Sequence, residues 1–425
     1  MELRVLGRPS ERASFFQAVR TGSPPGGGLY VPVAWPALPV EDLLPLPFAA
    51  RSLRILEALC GAEATPALRQ AVERAFDIPL PLAVAGPGRE ILELFWGPTA
   101  AFKDFGARFL ARLLSWLAAR APGDTITVLT ATSGDTGAAA GAALWRLPGV
   151  RCAVLYPAGR ISPVQERMLG SFGDNVRAFR VAGSFDDCQR LVKSAFADRS
   201  LSARLGLTSA NSINIARLFA QVCYYFEAAA RTTFERPWYV VPSGNFGNLT
   251  AGLWAHRLGL PARGFVAAAN RNATVPDYLA TGRYQPRAAV ATPSSAMDVG
   301  DPNNWPRIED LFANDLDALR RTLRAVSIDD EQTLAEIRRF HRERGRLVDP
   351  HTAVGLAAAD ALLGDEPAVV LATAHPAKFP EIVFEATGVE PEPPPAIASA
   401  LTRPFAVEDL APDGSSLARE LLHWP

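Results

Sequence analysis

From about residue 90 the chain alternates short apolar, β-branched runs with longer stretches of helical length, and this alternation limits the possible folds more than any other feature of the 425 residues. ILELFW, TITVLTA, RCAVLYPA, VRAFRVA, PWYVVPS, RGFVAAAN and AVVLATA read as strands. FGARFLARLLSWLAAR, AAAGAALWRL, RLFAQVCYYFEAAA and LTAGLWAHRLG read as helices. Strands separated by helices of this length imply parallel βαβ units with both sheet faces covered, an α/β fold whose ligands bind in loops at the strand C-termini.

Residues 1–85 form a different N-terminal unit. A helix-like ERASFFQAVRTG leads through the glycine turn Gly26–Gly28 into a short LYVPV strand, and further helices such as PALRQAVERAF follow. Near the other end, PEPPP at 391–395 is a proline-rich break before a short tail, 391–425.

Three polar turns stand at helix starts. Thr132–Gly137 (TSGDTG) opens the helix after TITVLTA. Ser243–Asn248 (SGNFGN) opens the one after PWYVVPS. Asn211–Arg217 (NSINIAR) opens RLFAQVCYYFEAAA, with Asn211 and Ser212 as candidate helix caps. Glycines let a ligand approach the backbone, and unpaired N–H groups at a helix start favour an anion. Each turn alone is as well explained by a cap or a tight connection. Three of them in one α/β unit point to a site for more than one anion. Neither GxGxxG nor a Walker loop is present, which disfavours dinucleotides and nucleoside triphosphates.

Composition adds one sharp observation. Of 43 basic residues only three are lysine: Lys103, Lys193 and Lys378. Arginine stays protonated, so it cannot replace a lysine that must become a neutral amine. Lys193 lies in the polar helical stretch FDDCQRLVKSAF and reads as a surface residue, whereas Lys103 and Lys378 sit in unusual contexts. The four cysteines form no CxxC pair and read as small buried hydrophobes; with scattered histidines and no HExxH, no metal site is expected. A formal net charge of −1 gives no reason to expect a nucleic-acid or membrane partner. No apolar run is long enough to span a bilayer, and MELRVLGRPSERASFF lacks the pattern of a secretory signal, so a cytoplasmic protein is expected.

The segment Leu94–Gly106, LFWGPTAAFKDFG, resembles the cofactor-lysine motif of the threonine synthase family. GGLYVP, TATSGDTGAA, SANSINIARL, VPSGNFGN, DPNNWPR and LATAHPAKF are similar to that family in the same order, over roughly residues 4–390. The resemblance implies a pyridoxal 5'-phosphate (PLP) enzyme of fold type II. Its catalytic core, 86–390, would hold two α/β subdomains around parallel sheets, the smaller at roughly 109–215, behind the N-terminal domain 1–85. It implies that Lys103 holds the cofactor as an imine. Gly244, Asn245, Phe246, Gly247 and Asn248 would hold the cofactor phosphate, and Thr373 would face the pyridine nitrogen. Asp135 would meet the cofactor's ring hydroxyl, Ser133 and Thr136 the substrate carboxylate, and Asn211, Ser212 and Arg217 the substrate phosphate. The implied reaction converts O-phospho-L-homoserine and water to L-threonine and phosphate, the last step of threonine biosynthesis, with Lys103 as the base at Cα and Cβ. The expected partner is this small molecule, without nucleic acid or membrane, and the enzyme a monomer or homodimer.

Three positions depart from the family pattern. Gly26 stands where aspartate is frequent, Trp96 where histidine is common, and Asp135 where other branches have asparagine. The last puts a carboxylate against the cofactor's ring oxygen. Lys378, in AHPAKF, stays open between facing the substrate phosphate and capping the strand–helix turn. A dehydratase or β-replacement enzyme of the same fold type has no need of the Asn211/Ser212/Arg217 grip, so phosphate release discriminates between the readings. A turnover assay separates all of these from a non-catalytic binder.

Overall fold

The computed structural model describes residues 1–61, 64–121, 123 and 125–424. In chain order its strands are β1 (Glu2–Val5), β2 (Arg8–Ser14), β3 (Tyr30–Pro32), β4 (Leu82–Gly86), β5 (Arg89–Glu93), β6 (Ile126–Ala131), β7 (Val150–Pro157), β8 (Val176–Val181), β9 (Leu207–Thr208), β10 (Trp238–Pro242), β11 (Gly264–Ala269), β12 (Leu323–Ser327), β13 (Ala368–Ala372) and β14 (Glu408–Leu410). They build a small antiparallel sheet, β2-β1-β3, and two larger sheets, β12-β11-β10-β13-β5-β4 and β14-β8-β7-β6-β9. The five-stranded sheet is wholly parallel, and the six-stranded sheet is parallel except for β4. Every residue of β5, β6, β10, β11 and β13 is buried, as expected of strands with helices on both faces.

Two helices link these sheets. The chain leaves the six-stranded sheet through Lys103–Ala118 and returns from the five-stranded one through Ile215–Arg231. The second is buried without a break from Ile215 to Ala228, its polar Arg217, Gln221 and Glu227 included. The two helices meet at Gly106, where an added Cβ would lie 3.0 Å from the Arg217 carbonyl oxygen and 3.2 Å from its Cα.

The ends of the chain differ from expectation. ERAS is not helical: it belongs to β2, which pairs with β1 through Leu3 opposite Ala13. The helix Phe15–Thr21 starts only after Ser14, whose side chain forms a reciprocal capping box with Gln17. The boundary expected at residue 85 falls inside β4, which is an edge strand of the six-stranded sheet. The expected tail, described through residue 424, is folded onto the five-stranded sheet. It contains the helices Pro395–Thr402 and Gly414–Leu422, and β14 extends the five-stranded sheet beyond β8. The cause is apolar burial: Leu410, Leu417, Leu421 and Trp424 complete the core beneath that sheet.

Candidate active site

Lys103 is the first residue of its helix, and the preceding segment is laid against the end of β13. Leu94 N–H donates to the Ala372 carbonyl at 3.0 Å, Phe102 N–H to that of Thr373 at 2.9 Å, and His375 N–H to that of Ala100 at 3.0 Å. These bonds bring Thr373 beside the lysine, which sequence distance alone does not. Ala100 has φ 52°, a left-handed conformation that a non-glycine residue keeps only under constraint. Asp104 supplies that constraint, accepting from Thr99 N–H at 2.9 Å and from its hydroxyl at 2.7 Å. Burial raises the Asp104 pKa, against the Thr99 bonds.

Lys103 Nζ lies 3.5 Å from Asp135 Oδ2, and its side chain is 16% exposed. Burial lowers its pKa. Asp135 opposes that shift, while Lys378 and Arg217 reinforce it. Asp135 opens the helix Asp135–Leu144, with Gly134 before it at φ 125°. A Cβ on Gly134 would strike the Gln165 side chain at 2.6 Å. Burial pushes the Asp135 carboxyl up, but the Lys378 and Lys103 ammonium groups outweigh burial and hold it well below the usual carboxylate range. The backbone of this turn is tied by Thr132, whose hydroxyl accepts from Gly134 N–H at 3.0 Å and Gly137 N–H at 2.9 Å. Ser133 and Thr136 stay half-buried.

The second turn carries two marks of a close backbone approach. Phe246 is left-handed at φ 59°, and a Cβ on Gly244 would lie 2.5 Å from Met297 Cα. The helix Gly247–Arg257 starts there, with its first N–H groups at the turn. The Asn245 side chain joins this turn to the third, donating from Nδ2 to Ser212 Oγ at 3.0 Å. Asn304 adds to the junction through Nδ2, donating to Ser212 Oγ at 2.9 Å and to the Asn245 carbonyl at 3.0 Å. The Asn248 side chain faces the core, where Oδ1 accepts from Tyr224 at 2.6 Å and Tyr225 at 2.8 Å. Its Nδ2 is buried without a partner among the described residues.

In the third turn the helix cap is Asn214, not Asn211 or Ser212: its side chain accepts from Ala216 N–H. Asn214 also donates to the Val19 and Ser209 carbonyls, which explains why the cap falls there. Asn211 instead accepts from the Thr130 hydroxyl. Arg217 is 2% exposed. Its Nη1 donates to the Ala210 carbonyl at 2.5 Å, and its Nε has no partner among the described residues. Burial lowers its pKa to about 10, and no carboxylate pairs with it among the described residues.

Sequence reading missed three supports of this site: Gln165, Asn304 and Arg307. Arg307 is fully buried and, among the described residues, donates only to neutral oxygens, those of Tyr30 (3.1 Å), Ser212 (3.0 Å), Ile213 (2.8 Å) and Asn304 Oδ1 (2.7 Å). Its only available signal is its place at the end of DPNNWPR. Trp96 is 43% exposed; it donates to Glu93 at 2.8 Å and packs beside Phe95 and His375. Gly26 has φ 79° within the expected Gly26–Gly28 turn. All four cysteines are buried.

These residues fit PLP. An amine of lowered pKa faces a site whose turns offer helix-start amides, and a buried arginine there lacks a countercharge. Two family models match the chain: "Pyridoxal-phosphate dependent enzyme" over residues 92–374 and "Threonine synthase, C-terminal" over 352–419. The chain is 45% identical to the threonine synthase of Serratia marcescens, over 100% of both chains. Among solved structures it resembles Escherichia coli threonine synthase, with TM-score 0.93, 43% identity and 99% of each chain covered. It also resembles the PLP-bound threonine synthase of Brucella melitensis, with TM-score 0.93 and 33% identity, covering 100% of this chain and 99% of that one.

Proposed function

The chain belongs to the threonine synthase family of PLP-dependent enzymes, and from that premise we propose that its site turns O-phospho-L-homoserine and water into L-threonine and phosphate, with Lys103 as the cofactor lysine. The observation that carries the reading is Arg217, a buried guanidinium without a carboxylate partner among the described residues, near enough to Lys103 to lower its pKa. Burying a cation is costly unless an anion completes the site. A phosphorylated substrate supplies that anion.

PLP, when bound, supplies the electron sink that makes the substrate's Cα–H acidic. In the reaction the Cγ–O bond breaks with its electron pair on the departing phosphate, hydroxyl adds at Cβ, and a proton is delivered to Cγ. Lys103 Nζ is the base for the carbon protons, because burial favours its neutral form. Asp135 Oδ2 aims that amine and meets the cofactor's ring oxygen. Ser133 and Thr136 hold the substrate carboxylate with the helix-start amides. Asn211, Ser212 and Arg217 hold the departing phosphate, with Asn304 and Arg307 fixing the turn that carries them. The Gly244–Asn248 turn holds the cofactor phosphate through its backbone, and Thr373 offers the ring nitrogen a neutral hydroxyl, which moderates its protonation.

No helix among the described residues is long and apolar enough to cross a membrane. We place the enzyme in the cytoplasm, as a monomer or homodimer. The test is a stoichiometric assay for phosphate and threonine from phosphohomoserine, with Lys103→Ala as control. The variant is expected to lose both turnover and the borohydride-reducible absorbance of the cofactor. Retention of that absorbance would sink the assignment of Lys103.

A further inference from the structure

Lys378, which the sequence left unassigned, is fully buried in the short turn Pro376–Lys378 that follows β13. Its Nζ donates to the Thr99 carbonyl at 2.9 Å and meets Asp135 Oδ1 at 2.6 Å. Gln165 Nε2 donates to the same oxygen at 3.0 Å. The two oxygens of Asp135 therefore differ. Oδ1 is occupied by an ammonium and an amide, while Oδ2 faces Lys103 Nζ at 3.5 Å. A fully buried lysine and a half-buried one share one carboxylate, in a chain whose other lysine lies exposed on the surface helix Phe185–Ala197. As a structural device this arrangement is poor, since a buried ion pair contributes little net stability and a second ammonium beside Lys103 is repelled by it.

We infer that Lys378 is a positioning residue for Lys103: by occupying Asp135 Oδ1 it turns Oδ2 toward the Lys103 amine and keeps Asp135 ionised whatever charge Lys103 carries. The inference rests on Lys103 being the cofactor lysine. With Lys103 as its only cation, a buried Asp135 would take up a proton whenever the Lys103 nitrogen lost its charge, and the two would titrate as one pair. With Lys378 in place the carboxylate has a second basic partner at Oδ1, so the proton inventory of the reaction stays on Lys103. The other groups that bear on the cluster leave this assignment intact. Arg217 acts on Lys103 as a further cation, and His351 on Asp135, while His351 is itself bonded to Asp349 at 2.6 Å. Asp104 is turned toward Thr99. Burial pushes His375 down to about 4, so it is uncharged near neutrality.

The test is a pH titration of the cofactor's visible absorbance in the purified holoenzyme, beside the kcat–pH profile. Removing a like charge this close favours the protonated form at Lys103, so Lys378→Met should raise both midpoints by about 1 to 3 pH units. KM for phosphohomoserine should change less than about threefold, as for a residue that touches no substrate. Lys378→Arg should return the midpoints part of the way. Unmoved midpoints with a lowered Tm would make Lys378 merely structural. Unmoved midpoints with a large rise in KM would make it a substrate contact. Either overturns the proposal. If Lys378→Met fails to fold because it strands a buried carboxylate, Asp135→Asn/Lys378→Met removes both partners. That double variant should differ from Asp135→Asn alone by much less than Lys378→Met differs from the unaltered enzyme; an equal displacement would show that Lys378 acts without Asp135 and overturn the proposal. Loss of cofactor absorbance in Lys103→Ala, together with any overturning result above, would refute this inference alone. Retained absorbance in Lys103→Ala would refute the reading beneath it.

Discussion

At the scale of single residues, the site sets function against stability. Among the described residues the buried Arg217 guanidinium has the Ala210 carbonyl as its hydrogen-bond partner and leaves its Nε unpartnered. Replacing it by methionine removes an uncompensated buried charge while roughly filling its space. Arg217→Met should therefore keep or raise Tm in a thermal melt, while kcat/KM for phosphohomoserine falls about 100-fold or more and cofactor absorbance persists. A fall in Tm with unchanged kinetics would show that Arg217 serves the fold. Lys103 gives a prediction of the opposite kind. Burial disfavours its ammonium, so the amine is freed at a pH below the ordinary lysine value of 10.5. A group that must be neutral to act gives activity that rises with pH. The acid limb of the kcat profile should lie below 10.5 and be absent from any residual activity of Lys103→Ala.

At the scale of elements, the two helices joining the sheets carry the chemistry between them. Lys103 begins one and Arg217 lies in the first turn of the other, and Gly106 lets them touch. Gly106→Val would force at least the Arg217 backbone aside. Overpacking of this sort costs about 1–3 kcal/mol, and here it also separates the amine from the guanidinium. We expect a lower Tm and a kcat/KM loss of about tenfold or more, measured on the same preparation. Both helices were readable from their apolar content, yet their contact was not, because a glycine in LARLLSWLA-like company looks only like a weak point in a helix. The cap at Asn214 was hidden for a related reason. Asn211, Ser212 and Asn214 are equally good caps by composition, and only the Val19 carbonyl, nearly two hundred residues away, selects the last.

At the scale of the whole molecule, the C-terminal segment closes what the rest of the chain leaves open. Without β14, strand β8 would be the edge of the five-stranded sheet, and the pocket filled by Leu410, Leu417, Leu421 and Trp424 would be empty. Arg177 and Arg180 bind the segment through Glu420 at 2.8 Å and Asp409 at 2.7 Å. A chain ending at residue 403 should melt lower and scatter light at concentrations where the full chain stays clear, since an uncovered edge invites pairing. An unchanged melt would mean that the segment is dispensable. The N-terminal unit is tied in by other contacts, with Arg51 paired to Glu227 at 2.8 Å and Arg307 holding the Tyr30 carbonyl.

What the sequence determined by itself was the local chemistry: strands too apolar to face water, polar turns at helix starts, and a lysine in a chain that otherwise uses arginine. These are properties of neighbouring residues, and neighbours fix periodicity, capping potential and residue type. The partners of Asp135, Arg217 and Lys378 were decided only by the tertiary structure. Lys378 lies 243 residues from Asp135 along the chain and meets it only because the end of β13, through the turn that follows it, is brought to the start of the helix after β6. Charge pairing at a buried site is a matter of distance in space, and that distance is set by sheet order, which no local pattern records.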